Sequence, residues 1–183
     1  MWKPVIFVIA TVALLYFSRR SLLRPRSHGF HRFFAWELML MLFLLNAALW
    51  FQDWLAWHQI ISWILLSASI VPLVLGIQAL RAEGRVDKRA RPEPQLLGFE
   101  RTTRLVTDGV YKYIRHPLYS SLFFLNWGMF FKSPSWPGAV LAFGASLFLV
   151  ATAKTDEAEC IEVFGADYRQ YRRQTTMFIP YVF

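Results

Sequence analysis

Three runs of apolar residues set the frame of this chain. Phe33–Phe51 carries a single acid, Glu37, near its start; Ile60–Leu80 carries no charge, and neither does Trp136–Ala153. Each has about the length needed to cross ~30 Å of hydrocarbon. Pro4–Phe17 and Leu118–Phe131 are shorter and adjoin other apolar segments, which makes them spans or partly buried hairpin arms. Two prolines and a glycine in "FKSPSWPGA" link the fourth and fifth runs tightly, as in an antiparallel helical hairpin. After Ala153 the pattern changes. Ile161, Phe164, Tyr168 and Tyr171 recur at three- and four-residue steps, which predicts a helix with one apolar face, interrupted at Gly165. The closing "MFIPYVF" is expected to return to the bilayer surface.

The pattern predicts an all-α integral membrane protein with about five transmembrane helices. Residues 1–80 form three spans, the side expected to face lipid and substrate. Residues 81–183 form a second half made of a loop, the hairpin of spans four and five, and a C-terminal helix. The break between the halves falls in "EGRVDKRARPEPQLLG", where charge, Pro92, Pro94 and Gly98 predict a loop. "TTRLVTDGVYKYIRHP" follows as extended chain, a turn at Asp108-Gly109 and a second short segment, with Pro117 suited to the first turn of helix four.

Composition agrees with the pattern and charge adds direction. Of 183 residues, 56% are hydrophobic and only 17% charged, too few for a water-soluble domain of this size. The net charge of +8 is unevenly placed. Arg19, Arg20, Arg24, Arg26 and Arg32 lie between spans one and two, nine cations from Arg81 to Arg115 precede span four, and Lys154, Arg169, Arg172 and Arg173 follow span five. Only Lys3 and Lys132 fall on the other side, which predicts N-terminus out, C-terminus in. The first run is read as a retained span rather than a cleaved signal, because "FSRRSLLRPR" follows it with no small-x-small site. The basic excess then matches anionic headgroups. Nucleic acid is excluded as a partner because no soluble domain remains to present a groove. One cysteine, Cys160, allows no internal disulfide. His28 and His31 lie in a basic stretch with no further ligands near in sequence, which predicts a headgroup role and no metal. Trp36, Trp50, Trp54, Trp57 and Trp63 read as interfacial anchors.

The chemistry concentrates at one end. "RHPLY" stands at the base of span four and "DEAE" at the base of span five. A hairpin sets Arg115, His116 and Tyr119 opposite Asp156, Glu157 and Glu159. Three acids at a membrane exit run against the basic bias of inner loops. A zwitterionic ligand with a planar ring needs such a set: acids for an ammonium, donors for a carboxylate, and an aromatic or imidazole face.

"TTRLVTDGVYKYIRHPLY", the acidic cluster and "FGADYRQY" together resemble the isoprenylcysteine carboxyl methyltransferase and phospholipid methyltransferase family of integral membrane enzymes, over roughly residues 95–183. The resemblance implies S-adenosylmethionine as cofactor. It implies that the backbone of Thr103, Arg104, Leu105 and Val106 runs along it and that Tyr111 closes over it. His116, Pro117, Leu118 and Tyr119 would line its adenosyl and carboxylate end, and Asp156 and Glu157 would reach its ammonium. It implies no metal, membrane lipids as surroundings, and a lipophilic or membrane-delivered acceptor whose nucleophile (O, N or S) stays open. Members that methylate a prenylcysteine carboxylate carry an arginine shortly before the acidic pair. Here Thr152 stands near that position and Lys154 is the nearest cation, which leans away from a carboxylate. No catalytic base is assigned; Glu159, Tyr168 and Lys154 are the groups within range. The alternatives are a non-enzymatic membrane adaptor and a sterol-reductase-like oxidoreductase, the latter disfavoured because no Gly-rich phosphate loop is present. The expected location is a prokaryotic inner membrane with the site facing the cytoplasm.

Overall fold

A computed structural model describes residues 2–85, 87, 96 and 100–182. Five helices form: α1 (Trp2–Leu22), α2 (His28–Asn46), α3 (Trp57–Glu83), α4 (Pro117–Phe130) and α5 (Trp136–Gln174). Short 3-10 turns follow α2 at Ala47–Leu49 and precede α4 at Gly109–Lys112. Among the described residues there is no strand; an isolated bridge joins Ile114 and Thr176. Most of the predicted loop that holds Pro92, Pro94 and Gly98 lies outside the described residues.

Four of the five helices are long and apolar enough to cross a membrane: α1, α2 with its 3-10 extension, α3 and α5. The fourth predicted span is shorter. α4 has 14 residues, about 21 Å at the α-helical rise, less than the hydrocarbon thickness. Pro117 takes the first helical position, where its missing N–H costs nothing. The sequence separated span five from a C-terminal helix, yet the helix runs unbroken from Trp136 past Ala153 to Gly165. Only there does the backbone leave helical geometry, at φ 59° and ψ −124°. A Cβ at Gly165 would meet nothing within 4 Å, so glycine is used for its left-handed φ and not for space.

The two sequence halves interleave. α2 packs along α5 and α3 along α4, and these are the largest helix interfaces. The central core is Met39, Leu42, Met129, Ala142 and Ala145, drawn from α2, α4 and α5. In hydrocarbon the packing of small residues and hydrogen bonds between helices do what water-driven burial does elsewhere. Ser62 Oγ donates to the Gly128 carbonyl at 2.7 Å, Asn46 Nδ2 to Met129 O at 2.8 Å, and Asn126 Nδ2 to Ala142 O at 2.8 Å. α1 is peripheral and mostly exposed, with one polar tie inward from Thr11 Oγ1 to Glu37 Oε2 at 3.0 Å.

Lys3 and Lys132, the two cations expected on the basic-poor side, lie at one end of the bundle. Lys3 Nζ reaches Leu45 O. Lys132 is buried, donates to Gln59 Oε1 at 3.0 Å and sits 3.3 Å from the centre of the Trp63 ring. Trp54 and Trp57 are exposed at this end, while Trp50 and Trp63 flank the Lys132 ammonium. The polar site is at the opposite end.

The C-terminal tail turns partly inward at Phe178, while Tyr181 and Val182 are exposed. Thr176 and Met177 carbonyls accept from the backbone N–H of Arg115 and His116 at 2.9 and 3.2 Å. Phe178 is 1% exposed and packs with Tyr119 and Ala153, and its carbonyl accepts from Ser120 Oγ at 2.7 Å. A large apolar ring next to backbone groups still lacking partners gains more inside the protein than outside it.

A Cβ added at Gly128 would lie 2.8 Å from Leu66 Cδ2 and 3.1 Å from the Leu66 backbone nitrogen. Gly128→Val therefore forces α3 and α4 apart and is expected to destabilise the protein by about 1–3 kcal/mol. Thermal unfolding in detergent measures it; an unchanged midpoint means that α3 and α4 do not pack through this glycine.

Candidate functional site

The loop before α4 is pinned from two sides. The tail holds the backbone of Arg115 and His116, and Tyr171 OH donates to Tyr111 O at 2.7 Å. This places His116 at the N-terminal end of α4, with its ring stacked on Tyr119 at 5.4 Å between centres. Asp156, Glu157 and Glu159 come from the same stretch of α5.

The predicted juxtaposition is present. Arg115 Nε donates to Glu157 Oε1 at 2.7 Å, and its Nη1 donates to the carbonyls of Thr175 and, at 3.2 Å, Arg172. Arg172 Nη1 lies 3.6 Å from Glu157 Oε2. His116 Nδ1 lies 3.5 Å from Asp156 Oδ2. Its Nε2 lies 3.4 Å from Glu157 Oε1 but lacks the alignment of a hydrogen bond. Glu159 does not face Arg115 or His116; it turns the other way, to His28.

His28 needs correction. It is the first residue of α2, 0% exposed, and not a headgroup contact. Its Nδ1 lies 2.7 Å from Glu159 Oε2 and 3.9 Å from Asp156 Oδ1, and its backbone N–H donates to Glu159 Oε1 at 2.9 Å. The acidic partners that are absent from its sequence neighbourhood come from a helix some 130 residues away. His28, Asp156 and Glu159 present ligand atoms within 4.8 Å of one another, spacing that would suit a metal ion. In this structure His28 Nδ1 is in contact with Glu159. Arg32, one turn further along α2, pairs with Glu100 at 3.2 Å.

Beside this cluster is a cavity whose empty space is about 710 Å³, open solvent included. Leu105, Val106, Tyr111, His116, Pro117, Leu118, Tyr119 and Asp156 line it, as expected from the sequence. The other three predicted residues do not. Glu157 is buried against Arg115. Thr103 and Arg104 are exposed and line a neighbouring cleft, and their backbone N–H groups both donate to Gly84 O, at 3.0 and 3.2 Å. Leu80, Glu100, Cys160 and Phe164 join the lining unpredicted, with Tyr168 and Tyr171. The apolar stripe of Phe164, Tyr168 and Tyr171 was visible in the sequence, but its role as a cavity wall was not. Leu80 and Glu100 carried no sequence signal, because only the fold brings them near.

The lining divides into apolar wall and charged end. Glu100 has Arg32, Glu157 has Arg115 and Glu159 has His28 within 3.2 Å. Asp156 has imidazole nitrogens at 3.5 and 3.9 Å and the Cys160 thiol at 4.0 Å, and it lines the cavity with its side chain 22% exposed. It has no arginine or lysine within 4 Å among the described residues, and with Glu100 it is one of the acids in contact with the open space. A planar, partly apolar ligand with an ammonium group fits this donor and acceptor set.

Residues 94–167 match the sequence family described as phospholipid methyltransferase. The methanethiol S-methyltransferase of Crocosphaera subtropica is 31% identical over 78 residues, 42% of this chain and 29% of that protein. Methanethiol S-methyltransferase 1 of Bradyrhizobium diazoefficiens is 32% identical over 89 residues, 47% of this chain and 30% of its own. The protein-S-isoprenylcysteine O-methyltransferase of Schizosaccharomyces pombe is 35% identical over 80 residues, 43% of this chain and 34% of its own. The matches thus span about a third of each relative's length. No solved structure matches the chain.

Burial disfavours the charged His116 ring, but Asp156 and Glu157 outweigh it and hold its pKa above the usual imidazole value. A pKa raised by folding gives stability that is complete below the unfolded value of about 6.5 and is lost as pH rises through the folded value. The thermal midpoint is expected to fall as pH rises from about 6 to 8, with a shallower slope in His116→Gln. An equal slope in the variant would assign the effect to other groups.

Proposed function

We propose that this chain, whose residues 94–167 belong to the phospholipid methyltransferase family, is a membrane methyltransferase that moves the methyl group of S-adenosylmethionine to a lipophilic or membrane-delivered acceptor. The observation that carries the reading is Asp156: an acid flanked by two imidazoles yet still partly exposed on the wall of an apolar and aromatic cavity, beyond the apolar stretch of α5. Asp156 would hold the donor's ammonium. His116 and Tyr119 offer a stacked aromatic face, and Leu105, Val106, Pro117 and Leu118 the apolar wall. Tyr111 closes the far side. Glu157 serves indirectly, by fixing Arg115 and with it the backbone that carries His116.

The donor brings its methyl already activated on a sulfonium, so the site has no oxyanion to stabilise. The residues' task is alignment and exclusion of water. The positive charge disperses as the carbon leaves sulfur for the acceptor, and a site poor in water favours that dispersal. The proton of a thiol or amine acceptor would leave to solvent or to a nearby carboxylate.

Relatives named for S-methylation and for O-methylation both align, and the residues here lean away from a carboxylate acceptor. Thr152 is buried with its hydroxyl on Phe148 O at 2.7 Å, and Lys154 is exposed, so α5 directs no cation toward an acceptor carboxylate just before the acid pair. From the distribution of Lys and Arg the site faces the cytoplasm, in a membrane of the prokaryotic inner type.

Purified full-length chain in detergent should bind labelled S-adenosylmethionine, and Asp156→Asn should weaken binding about 10- to 100-fold, the scale of a lost hydrogen bond between charged groups. Supplying native lipids or small thiols then identifies the labelled product. Absence of binding by the unaltered protein would leave the adaptor reading.

A further inference from the structure

His28 has a feature that the site as described does not use. The residue before it, Ser27, stands at the N-cap of α2 but gives its hydroxyl to Arg24 O at 2.9 Å and Ser21 O at 3.5 Å. The cap comes instead from α5: both oxygens of Glu159 are taken by His28, one by its backbone N–H and one by Nδ1. A carboxylate at a helix N-terminus is stabilised by the N–H groups that point at it. The His28 Nε2 is buried and has no hydrogen-bond partner among the described residues.

Asp156 and Glu159 lie three residues apart, on neighbouring positions of one helix face. Two carboxylates this close and only partly exposed repel each other, and a cation or donor beside them favours both staying ionised. His28 stands beside both, and it comes from the N-terminal half of the chain. It does not line the cavity.

We propose that His28 is a positioning residue of the donor site: it keeps Glu159 turned to α2, and so leaves Asp156 facing the cavity, ionised and open to a ligand's ammonium. This rests on the reading of Asp156 given above. Without the imidazole, Glu159 loses its hydrogen bond to His28 Nδ1, and Glu159 or Asp156 takes a proton or moves. Either outcome changes the charge that the donor meets. The first three helices then have a part in donor binding as well as in shaping the membrane side.

Binding of labelled S-adenosylmethionine to the full chain in detergent tests this. His28→Ala is expected to raise Kd about tenfold, the lower end for losing a charged hydrogen bond. His28→Asn carries an amide N–H near the position of Nδ1 and should stay within about threefold, whereas His28→Gln, with its amide at the depth of Nε2, should behave like alanine. In an Asp156→Asn background His28→Ala should add nothing further, because it acts through that carboxylate. In turnover assays KM for the donor rises and kcat at saturating donor holds. A chelator should leave binding unchanged. The proposal is overturned if His28→Ala binds like the unaltered protein, if its loss recurs in full beside Asp156→Asn, or if kcat falls with KM unchanged. It is also overturned if chelation abolishes binding and zinc restores it, since the three groups then hold a metal. If His28→Ala does not fold, the asparagine and glutamine variants decide by their difference. If the unaltered protein binds no donor, the methyltransferase reading itself fails; if it binds and Asp156→Asn does not, only His28 is in question.

Discussion

A carboxylate removed from water must be neutralised where it stands, and at the site end of this bundle four of them lie close together. Breaking a buried pair by removing one partner costs several kcal/mol, roughly 3–5, because the other charge is left behind. All four meet a cation or imidazole from a different element. Glu100 in the loop meets Arg32 on α2, Glu157 on α5 meets Arg115 before α4, Glu159 on α5 meets His28 on α2, and Asp156 on α5 lies 3.5 Å from His116 and 3.9 Å from His28. The ion pairs thus add to the apolar contacts that α5 makes with α4 and the loop before it, and Asp156 stays on the cavity wall. The opposite end is held differently, by one buried ammonium set against Trp63 and Gln59.

What was legible in the sequence follows from how local each signal is. Uninterrupted apolar runs mark α2, α3 and α5 because a span must satisfy its backbone internally and its side chains must face lipid. Pro117 marked the start of α4, and Arg115-His116 facing an acid cluster was readable because a short turn closes the hairpin. The shortness of α4 was legible too, because the apolar run Leu118–Phe131 has the helix's own length of 14 residues. Thr103 and Arg104 were assigned to the donor by motif position, yet their N–H groups go to Gly84 O, a partner some twenty residues earlier. His28 was misread because its partners are on α5, and sequence spacing says nothing about a contact between helices that far apart. The tail's return was hidden for the same reason: "MFIPYVF" reads equally well as a lipid-facing or a protein-facing segment until Tyr119 and Ser120 are placed beside it.

The continuity of α5 connects these observations. One rigid rod carries the apolar face that packs on α2, then Thr152 and Ala153, then the acids, with no loop to absorb error between them. The break comes only at Gly165, after the last acid of the cluster, and it turns residues 166–174 so that Tyr168 and Tyr171 close the cavity over Tyr111. A break two turns earlier would uncouple Glu159 from the span that sets its height against His28. A rod without the break would carry the tyrosines away from the wall they complete. The left-handed glycine is therefore part of how the cavity is closed, although it touches nothing in it.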